Sequence, residues 1–248
     1  MLIFLDIETT GLESVDRICS IGIIGSDSVD MISLYELVYE GKKISSKASS
    51  INHITNEMIK DKSKFKDTKA YHFLQKYNNE ESTIVAHNIK FNLEMLLASE
   101  FQWYGKIIDT QRVTKHLIPE CEEFSLQFLR YELKLYKDEN QEISKYLENI
   151  QPQIYMHNAL NDALVVKLLY IYLLDMKSHS ELIDLSFKNV LIEKFEFGKY
   201  KGRYIEEVAM SDRSYLEWIL CDTSKLYEDL KYTIQNYINY SEGSIKFI

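Results

Sequence analysis

Residues 2–12 read Leu-Ile-Phe-Leu-Asp-Ile-Glu-Thr-Thr-Gly-Leu, an apolar, β-prone run that ends in acidic residues and a glycine. The run predicts a strand from Leu2 to Glu8. Side chains alternate along a strand, so Asp6 and Glu8 point to the same face, about 7 Å apart along the chain. Neighbouring carboxylates repel unless a cation joins them, and such hard oxygen ligands suit Mg²⁺ or Mn²⁺. The pattern Asp-x-Glu is common by itself, and a solvated strand end is the alternative interpretation.

The segments that follow predict a mixed sheet. Arg17–Ile24 and Val29–Tyr39 are β-prone and flank a turn at residues 25–28, and such short connections favour an antiparallel meander. Helix and strand patterns then alternate, with short strands at Thr83–Ala86 and Lys106–Ile108. A meander followed by βα units predicts an α/β fold with helices on both faces of a mixed sheet. Helical patterns cover Thr55–Asp61, Thr68–Tyr77, Ile89–Glu100, Ser125–Leu133 and Asn158–Met176, the last two of them amphipathic.

The pattern breaks near Lys177, which predicts two domains. Residues 1–178 form the first, and residues 190–248 form a small α+β module. Within the module we expect a hairpin of residues 194–198 and 203–208, followed by a helix around Tyr215 and Trp218.

Composition excludes several classes of protein. The chain has 248 residues, of which 46% are hydrophobic and 27% charged, the balance of an ordinary globular protein. A net charge of −9 argues against non-specific coating of nucleic acid, which relies on Lys and Arg. The same net charge is compatible with an enzyme that binds the end of a nucleic-acid strand, because bound divalent metals can supply the positive charge that phosphate needs.

The cysteines and the apolar segments indicate a cytoplasmic protein. Cys19, Cys121 and Cys221 form no Cys-x-x-Cys pair, so neither a zinc site nor a disulfide framework is indicated. The N-terminal residues lack the basic start and cleavage site of a signal peptide. The longest apolar run, Leu164–Leu174, contains Lys167 and is too short to span a bilayer.

Two later segments carry further candidate chemistry. Residues 86–92 read Ala-His-Asn-Ile-Lys-Phe-Asn and open a helix after a buried strand, a position where the chain can meet a ligand. The alternative is that Asn88 serves only as a helix N-cap. Residues 157–162 read His-Asn-Ala-Leu-Asn-Asp and begin the long helix, with Asp162 expected at the rim of the core. Taken alone, His157 in the preceding loop is more often structural or solvated than catalytic.

Together, in this order and on these elements, the segments resemble the DEDDh exonuclease superfamily, which contains ribonuclease T, oligoribonuclease and bacterial proofreading subunits. Asp6-Ile-Glu8-Thr-Thr-Gly-Leu12 matches the first family motif, and His157 with Asp162 matches the third. Residues 52–57 and 108–110 resemble two further, less specific segments of the family. The resemblance covers roughly the first 176 residues. It implies a ribonuclease H-like fold and a 3′-to-5′ exonuclease.

The resemblance also implies roles for these residues. Two divalent cations, Mg²⁺ or Mn²⁺, would hold the attacking and leaving oxygens. Asp6 would bridge them, Glu8 and Asp162 would bind one, and position 92 would help to hold the other. His157 would be the general base, which its loop position lets it approach. The terminal nucleotide would meet residues of the first two motifs, with Leu12 against its base: Thr9, Thr10, Gly11, Leu12, Asn88 and Phe91.

Position 92 departs from the family. The second motif normally ends in an aspartate, and an amide oxygen binds a divalent cation more weakly than a carboxylate. Glu94 cannot substitute, because residues two apart on a helix do not share a face. Asn92 is either an engineered substitution that slows catalysis or the mark of a nuclease that has drifted towards inactivity, and the otherwise intact site favours the first.

The segment Phe197-Gly-Lys-Tyr-Lys-Gly-Arg-Tyr204 resembles a module that follows the nuclease domain in exonuclease X-like bacterial proteins. That resemblance favours DNA as substrate. Lys199, Lys201 and Arg203 alternate with tyrosines in a pattern that can hold phosphates and stack bases. A hairpin turn with solvated lysines is the alternative, and the nearby Glu206 and Glu207 weaken the nucleic-acid interpretation.

Three functions therefore compete. The first is a DNA 3′-to-5′ exonuclease that acts on DNA 3′ ends. The second is an RNA-trimming exonuclease, since the choice depends on how the pocket treats a 2′-hydroxyl. The third is a disabled module that binds strand ends without hydrolysing them, as Asn92 would favour.

Overall fold

The computed structural model describes residues 1–26, 31–146, 158–195, 197–221 and 226–241. It divides the chain into two compact units, Met1–Ser186 and Phe187–Ile248. The strands are β1 Leu2–Thr9, β2 Ile18–Ser26, β3 Met31–Leu37, β4 Thr83–Ala86 and β5 Lys106–Asp109. The helices of the first unit begin with α1 Ser46–Asn52, α2 Asn56–Ile59, α3 Lys69–Lys76 and α4 Ile89–Ala98. They continue with α5 Thr110–Leu117, α6 Leu126–Glu132, α7 Glu139–Tyr146 and α8 Ala159–Leu174, and α9 is His179–Phe187.

The five strands form one sheet in the order β3-β2-β1-β4-β5. β1, β2 and β3 pair antiparallel, whereas β4 pairs parallel to both β1 and β5. The predicted meander followed by βα units is therefore confirmed, and so is the mixed sheet flanked by helices. Because β1 and β4 run in the same direction, their carboxyl ends meet at one edge of the sheet.

The alternation along β1 divides the core into two layers. Ile3, Leu5 and Ile7 face the layer formed with α3 and α4. Phe4 points the other way, into the layer that includes residues of α5, α6 and α8. Asp6 and Glu8 follow Phe4 at intervals of two residues, so both carboxylates lie on the face covered by α8.

Helix α8 is buried on nearly every side, so the prediction of an amphipathic helix here is wrong. Positions 162–170 are all buried, because α8 packs on β1 and β2 while α5, α6 and α7 cover its outer side. Lys167 is accommodated by an ion pair with Glu142, with 2.6 Å between Nζ and Oε2. No helix among the described residues is long and apolar enough to cross a membrane.

The second unit contains α10 Ile205–Ser211, α11 Arg213–Cys221 and α12 Glu228–Ser241. The predicted turn is present, since Lys194 and Tyr204 form a β-bridge, and the helix around Tyr215 and Trp218 is confirmed as α11. The predicted strand at 203–208 is wrong, because α10 begins at Ile205. Ile205 and Val208 are three residues apart, so they share a helix face, which packs into the core of this unit.

Candidate active site

Glycine at position 22 lets the carboxylates of β1 and α8 approach each other. Gly22 lies opposite Asp6 in the β1–β2 ladder. A Cβ at Gly22 would lie 2.2 Å from the backbone of Ala159 and Leu160, closer than any real contact. The first turn of α8 therefore rests directly on the backbone of β2, as an isolated glycine inside a strand often permits. Asp162 lies in that same first turn, on the Asp6 side of the sheet.

Asp6, Glu8 and Asp162 form one cluster. One oxygen from each carboxylate can be chosen so that all three lie within 4.8 Å of one another. Burial, together with the charges of Asp162 and Glu8, raises the pKa of Asp6 well above its usual range. Burial and the charge of Asp162 raise the pKa of Glu8 to about 8, against a weaker opposing hydrogen bond from Asn52. Such mutual repulsion between hard oxygen ligands is what a bound divalent cation removes, so the donor set fits the predicted metal.

Asn92 has the properties of an unfilled ligand position. The residue is 2% exposed, and its Oδ1 atom has no hydrogen-bond partner among the described residues. Its Nδ2 atom makes two long contacts, each of 3.4 Å, to the carbonyl oxygens of His87 and Asn88. Asn92 lies near the start of α4, which follows the carboxyl end of β4 at the edge where β1 ends. A buried acceptor without a donor is costly, and a cation or a water would satisfy it.

Glu94 does not replace the missing carboxylate, as the sequence predicts. Its side chain is 58% exposed, and its Oε1 atom lies 4.0 Å from Nζ of Lys90.

The loop after β1 is shaped by Asp16. Thr10 Oγ1 donates to Asp16 Oδ1 over 2.8 Å, and Lys42 Nζ lies 2.8 Å from the same atom. A Cβ at Gly11 would lie 2.4 Å from the Asp16 carboxylate, so the glycine is needed for this close approach. Thr9 and Thr10 are buried, and Thr9 donates to the Gly11 carbonyl.

Leu12, at the tip of this loop, is 77% exposed. The alternative that Leu12 is a core residue is therefore wrong, and its exposed side chain, four residues after Glu8 in the chain, remains available to a ligand.

The start of α4 is held by Asp109. The carboxylate of Asp109 accepts hydrogen bonds from the backbone N–H groups of Asn88 and Ile89, at 3.1 and 3.2 Å. Asn88 adopts a left-handed conformation (φ 56°), and its exposed side chain makes no capping bond. Asn88 therefore occupies the N-cap position of α4, as the alternative interpretation has it, but its side chain does not cap the helix. Phe91 is partly buried against the core and keeps some exposed surface.

Among the predicted site residues, His157 falls outside the described residues, so its place in the site stays a prediction. Sequence reasoning missed three residues that build the site: Gly22, Asp16 and Gln127. Gly22 did leave a signal, because a glycine inside an apolar strand pattern indicates close backbone approach. Asp16 acts mainly within its own loop, through Thr10 and Gly11, where no regular pattern marks it. Gln127 donates a hydrogen bond to Asp162, 35 positions away in the chain, so it left no local signal.

In the second unit, two of the three predicted cations are paired with carboxylates. Lys199 Nζ lies 3.0 Å from Asp212 Oδ2, and Arg203 Nη2 lies 3.3 Å from Glu207 Oε2. Lys201 is exposed. The basic character of the predicted patch is therefore reduced.

The aromatic side chains near these cations contact one another. Trp218 is 68% exposed, and its ring lies 5.9 Å from that of Tyr215 at an interplanar angle of 31°. Tyr215 meets the ring of Tyr200 edge-on, with centroids 4.9 Å apart. Lys199 Nζ lies 4.7 Å from the centroid of the Tyr200 ring.

The repulsion within the cluster predicts a pH-dependent stability. The pKa of Glu8 rises from 4.5 to about 8 on folding, so the folded state binds more protons between these values. In chelator, the contribution of Glu8 to stability should therefore be full below about pH 4.5 and be lost as pH rises towards 8. We expect the midpoint of thermal unfolding to fall less between pH 5 and pH 8 in Glu8→Gln than in the parent. Glu94→Gln, an exposed control, should behave like the parent; identical pH profiles for parent and Glu8→Gln would contradict the account.

Sequence comparison finds a family match in each of the two units. The Exonuclease family matches residues 3–170, and the Exodeoxyribonuclease X-like C-terminal family matches residues 195–220. Exodeoxyribonuclease 10 of Escherichia coli is 26% identical over 241 residues, which cover 96% of this chain and 99% of that protein. DNA polymerase III subunit epsilon of Treponema pallidum is 30% identical over 123 residues, or 46% of this chain and 55% of that protein.

Solved structures share the fold. Exonuclease X in complex with 5′ overhanging duplex DNA superimposes with a TM-score of 0.57 at 24% identity, covering 75% of this chain and 99% of that one. A 3′-exonuclease that recognises the histone mRNA stem-loop gives a TM-score of 0.53 at 12% identity, covering 71% and 81%. The ribonuclease H-like fold and the exonuclease X-like second unit, both predicted from the sequence, are confirmed. With a carboxylate cluster on this fold and a family match across most of its first unit, the chain belongs to the exonuclease family, whose members hydrolyse phosphodiester bonds.

Proposed function

We propose that this chain removes nucleotides one at a time from the 3′ end of DNA. The observation that carries the proposal is the cluster of Asp6, Glu8 and Asp162, three buried or half-buried carboxylates that offer one oxygen each within 4.8 Å of the others. The choice of DNA is supported by the name of the E. coli relative, an exodeoxyribonuclease aligned over nearly the whole length of both proteins.

The carboxylates would hold divalent cations, Mg²⁺ or Mn²⁺. Such cations supply the positive charge that the scissile phosphate, the attacking water and the leaving oxygen need. Asp6, Glu8 and Asp162 would be the ligands. Oδ1 of Asn92, a buried acceptor without a hydrogen-bond partner among the described residues, would be a fourth, weaker oxygen donor.

The remaining residues act on the substrate and the proton. His157 would accept the proton of the attacking water on an imidazole nitrogen, since its ordinary pKa lies near neutrality. Leu12, exposed in the loop after β1, would pack against the terminal base, and the partly exposed Phe91 of α4 would line the same pocket. The loop of Thr9, Thr10 and Gly11 and the side chain of Asn88 would line the rest of the pocket.

The proposal predicts the polarity and the substrate of cleavage. With Mn²⁺, a 5′-labelled DNA strand should shorten in steps of one nucleotide, and the same strand with a blocked 3′ end should resist. A matching RNA strand should be trimmed more slowly. Faster trimming of RNA than of DNA would indicate an RNA-trimming exonuclease. If both the parent and Asn92→Asp bound strand ends without cleaving them, the chain would be a module that binds nucleic acid and does not hydrolyse it.

We further propose that the second unit binds single-stranded DNA. The exposed ring of Trp218, supported from behind by Tyr215, offers a surface on which a base can stack, while Lys199, Lys201 and Arg203 would contact phosphates. Asp212 and Glu207 reduce the ionic part, so stacking should dominate the binding energy.

Replacing Trp218 with alanine should weaken binding of single-stranded DNA about 10-fold, because base–aromatic stacking contributes roughly 1–3 kcal/mol. Fluorescence anisotropy in chelator, where the strand is not cleaved, measures the affinity. Tyr104→Ala removes a similarly exposed ring from the first unit and should have no effect. Unchanged binding by Trp218→Ala would refute the stacking role, and unchanged binding by a Lys199/Lys201/Arg203 triple alanine variant would refute the phosphate contacts.

A further inference from the structure

A glutamine on α6 holds one of the cluster carboxylates. Nε2 of Gln127 donates a hydrogen bond of 2.6 Å to Oδ1 of Asp162. The two residues come from different helices and lie 35 positions apart in the chain. An amide donor can fix a carboxylate in place without adding a charge that would compete with a cation.

Arg130 determines which way the amide of Gln127 faces. Nη1 of Arg130 donates to Oε1 of Gln127 over 3.3 Å. A guanidinium has only donors, so it must meet the amide oxygen, and the amide nitrogen is thereby turned towards Asp162. The orientation thus follows from the chemistry of both neighbours.

Arg130 is itself fixed by Glu139. The two side chains form a bidentate ion pair, with 2.7 Å between Nη2 and Oε2, and are only 8% and 4% exposed. A buried fork-to-fork pair of this kind restricts both partners to one geometry. Glu139 on α7, Arg130 and Gln127 on α6, and Asp162 on α8 therefore form one chain of contacts that ends at the carboxylate cluster.

We infer that Gln127 is a positioning residue, which orients Asp162 for cation binding through its hydrogen bond to Oδ1. The inference rests on the proposed function, because it assumes that the cluster binds a cation. Partners that orient metal ligands through hydrogen bonds are part of metal sites generally, and their loss typically weakens metal affinity about 10–100-fold.

The test compares two glutamines. Gln127→Met keeps the length of the side chain and removes the donor. Gln111→Met is the matched control, since Gln111 is a part-buried glutamine whose Nε2 donates to the carbonyl of Phe124 rather than to the cluster. Mn²⁺ binding is measured by isothermal titration calorimetry on the full chain, and folding by the midpoint of thermal unfolding in chelator.

We expect the dissociation constant for Mn²⁺ to rise about 10–100-fold in Gln127→Met and to stay unchanged in Gln111→Met, with little change in the unfolding midpoint of either. Gln127→Leu, which also removes the donor without adding a charge, should likewise bind Mn²⁺ more weakly than Gln111→Met does. Parental affinity in Gln127→Met and Gln127→Leu would overturn the inference. The inference would also be overturned if the unfolding midpoint of these variants in chelator fell so far that loss of folded protein explained their weaker Mn²⁺ binding.

Asp162→Asn separates this inference from the proposed function. If the parent binds Mn²⁺ and Asp162→Asn does not, the cluster is a metal site, and the glutamine variants alone decide the role of Gln127. If the parent binds no Mn²⁺, the proposed function fails and the inference fails with it.

Discussion

Asn92→Asp is expected to trim DNA 3′ ends about 10–100 times faster than the parent chain, the range over which metal sites respond to loss or gain of a supporting group. Asn92 presents a buried Oδ1 atom without a partner near the start of α4. A carboxylate at this position would bind a divalent cation more strongly than the neutral amide oxygen does. The gain should appear in the rate at saturating DNA, because the substitution does not touch the exposed Leu12 surface.

The same variant should lose stability when cations are removed. A buried carboxylate without a counter-charge is costly, so the unfolding midpoint in chelator should fall below that of the parent and recover with Mn²⁺. Gln75→Glu adds the same charge on an exposed face of α3 and should change neither rate nor stability. Equal rates for the parent and Asn92→Asp would show that position 92 does not limit the reaction.

Asp6→Asn should abolish the cleavage that Asn92→Asp gains. We expect a loss of about 1,000-fold or more in the double variant, since a lost metal contact removes several kcal/mol of transition-state stabilisation and each 1.36 kcal/mol is a factor of ten. Asp6 lies at the centre of the cluster, where the charges of Asp162 and Glu8 both raise its pKa. A neutral side chain at this point removes one ligand and the repulsion together.

Stability provides the complementary measurement. Without cations, Asp6→Asn should unfold at a higher temperature than the parent at pH 8, because the repulsion between the carboxylates is relieved. Asp61→Asn, which removes an exposed carboxylate, serves as the control for both measurements. If Asp6→Asn retained metal-dependent cleavage, the hydrolytic site would lie elsewhere.

The strands of the sheet and the shared face of Asp6 and Glu8 could be predicted from local sequence patterns. The predicted β4, Thr83–Ala86, matches the structure at both ends, because a short apolar run between turn residues leaves few alternatives. Asp6 and Glu8 share a face because the period of a strand is two residues, whatever the tertiary context.

The contacts between distant elements could not be predicted in the same way. The amphipathic interpretation of α8 failed because the sequence shows polarity but not how many neighbours cover a helix, and α5, α6 and α7 cover this one. Arg203–Val208 was assigned to a strand, although the spacing of Ile205 and Val208 suits a helix face equally well. Gln127 meets Asp162 only after α6 and α8 pack, so no local pattern marks it.

Crystals grown with Mn²⁺ and measured at the manganese absorption edge test the central claim most directly, because anomalous scattering locates the cation itself. Our account predicts an anomalous peak in contact with carboxylate oxygens of Asp6, Glu8 and Asp162, and its absence from crystals of Asp6→Asn. A peak at other residues, or an empty cluster in crystals of a chain that still trims DNA 3′ ends with Mn²⁺, would contradict the account.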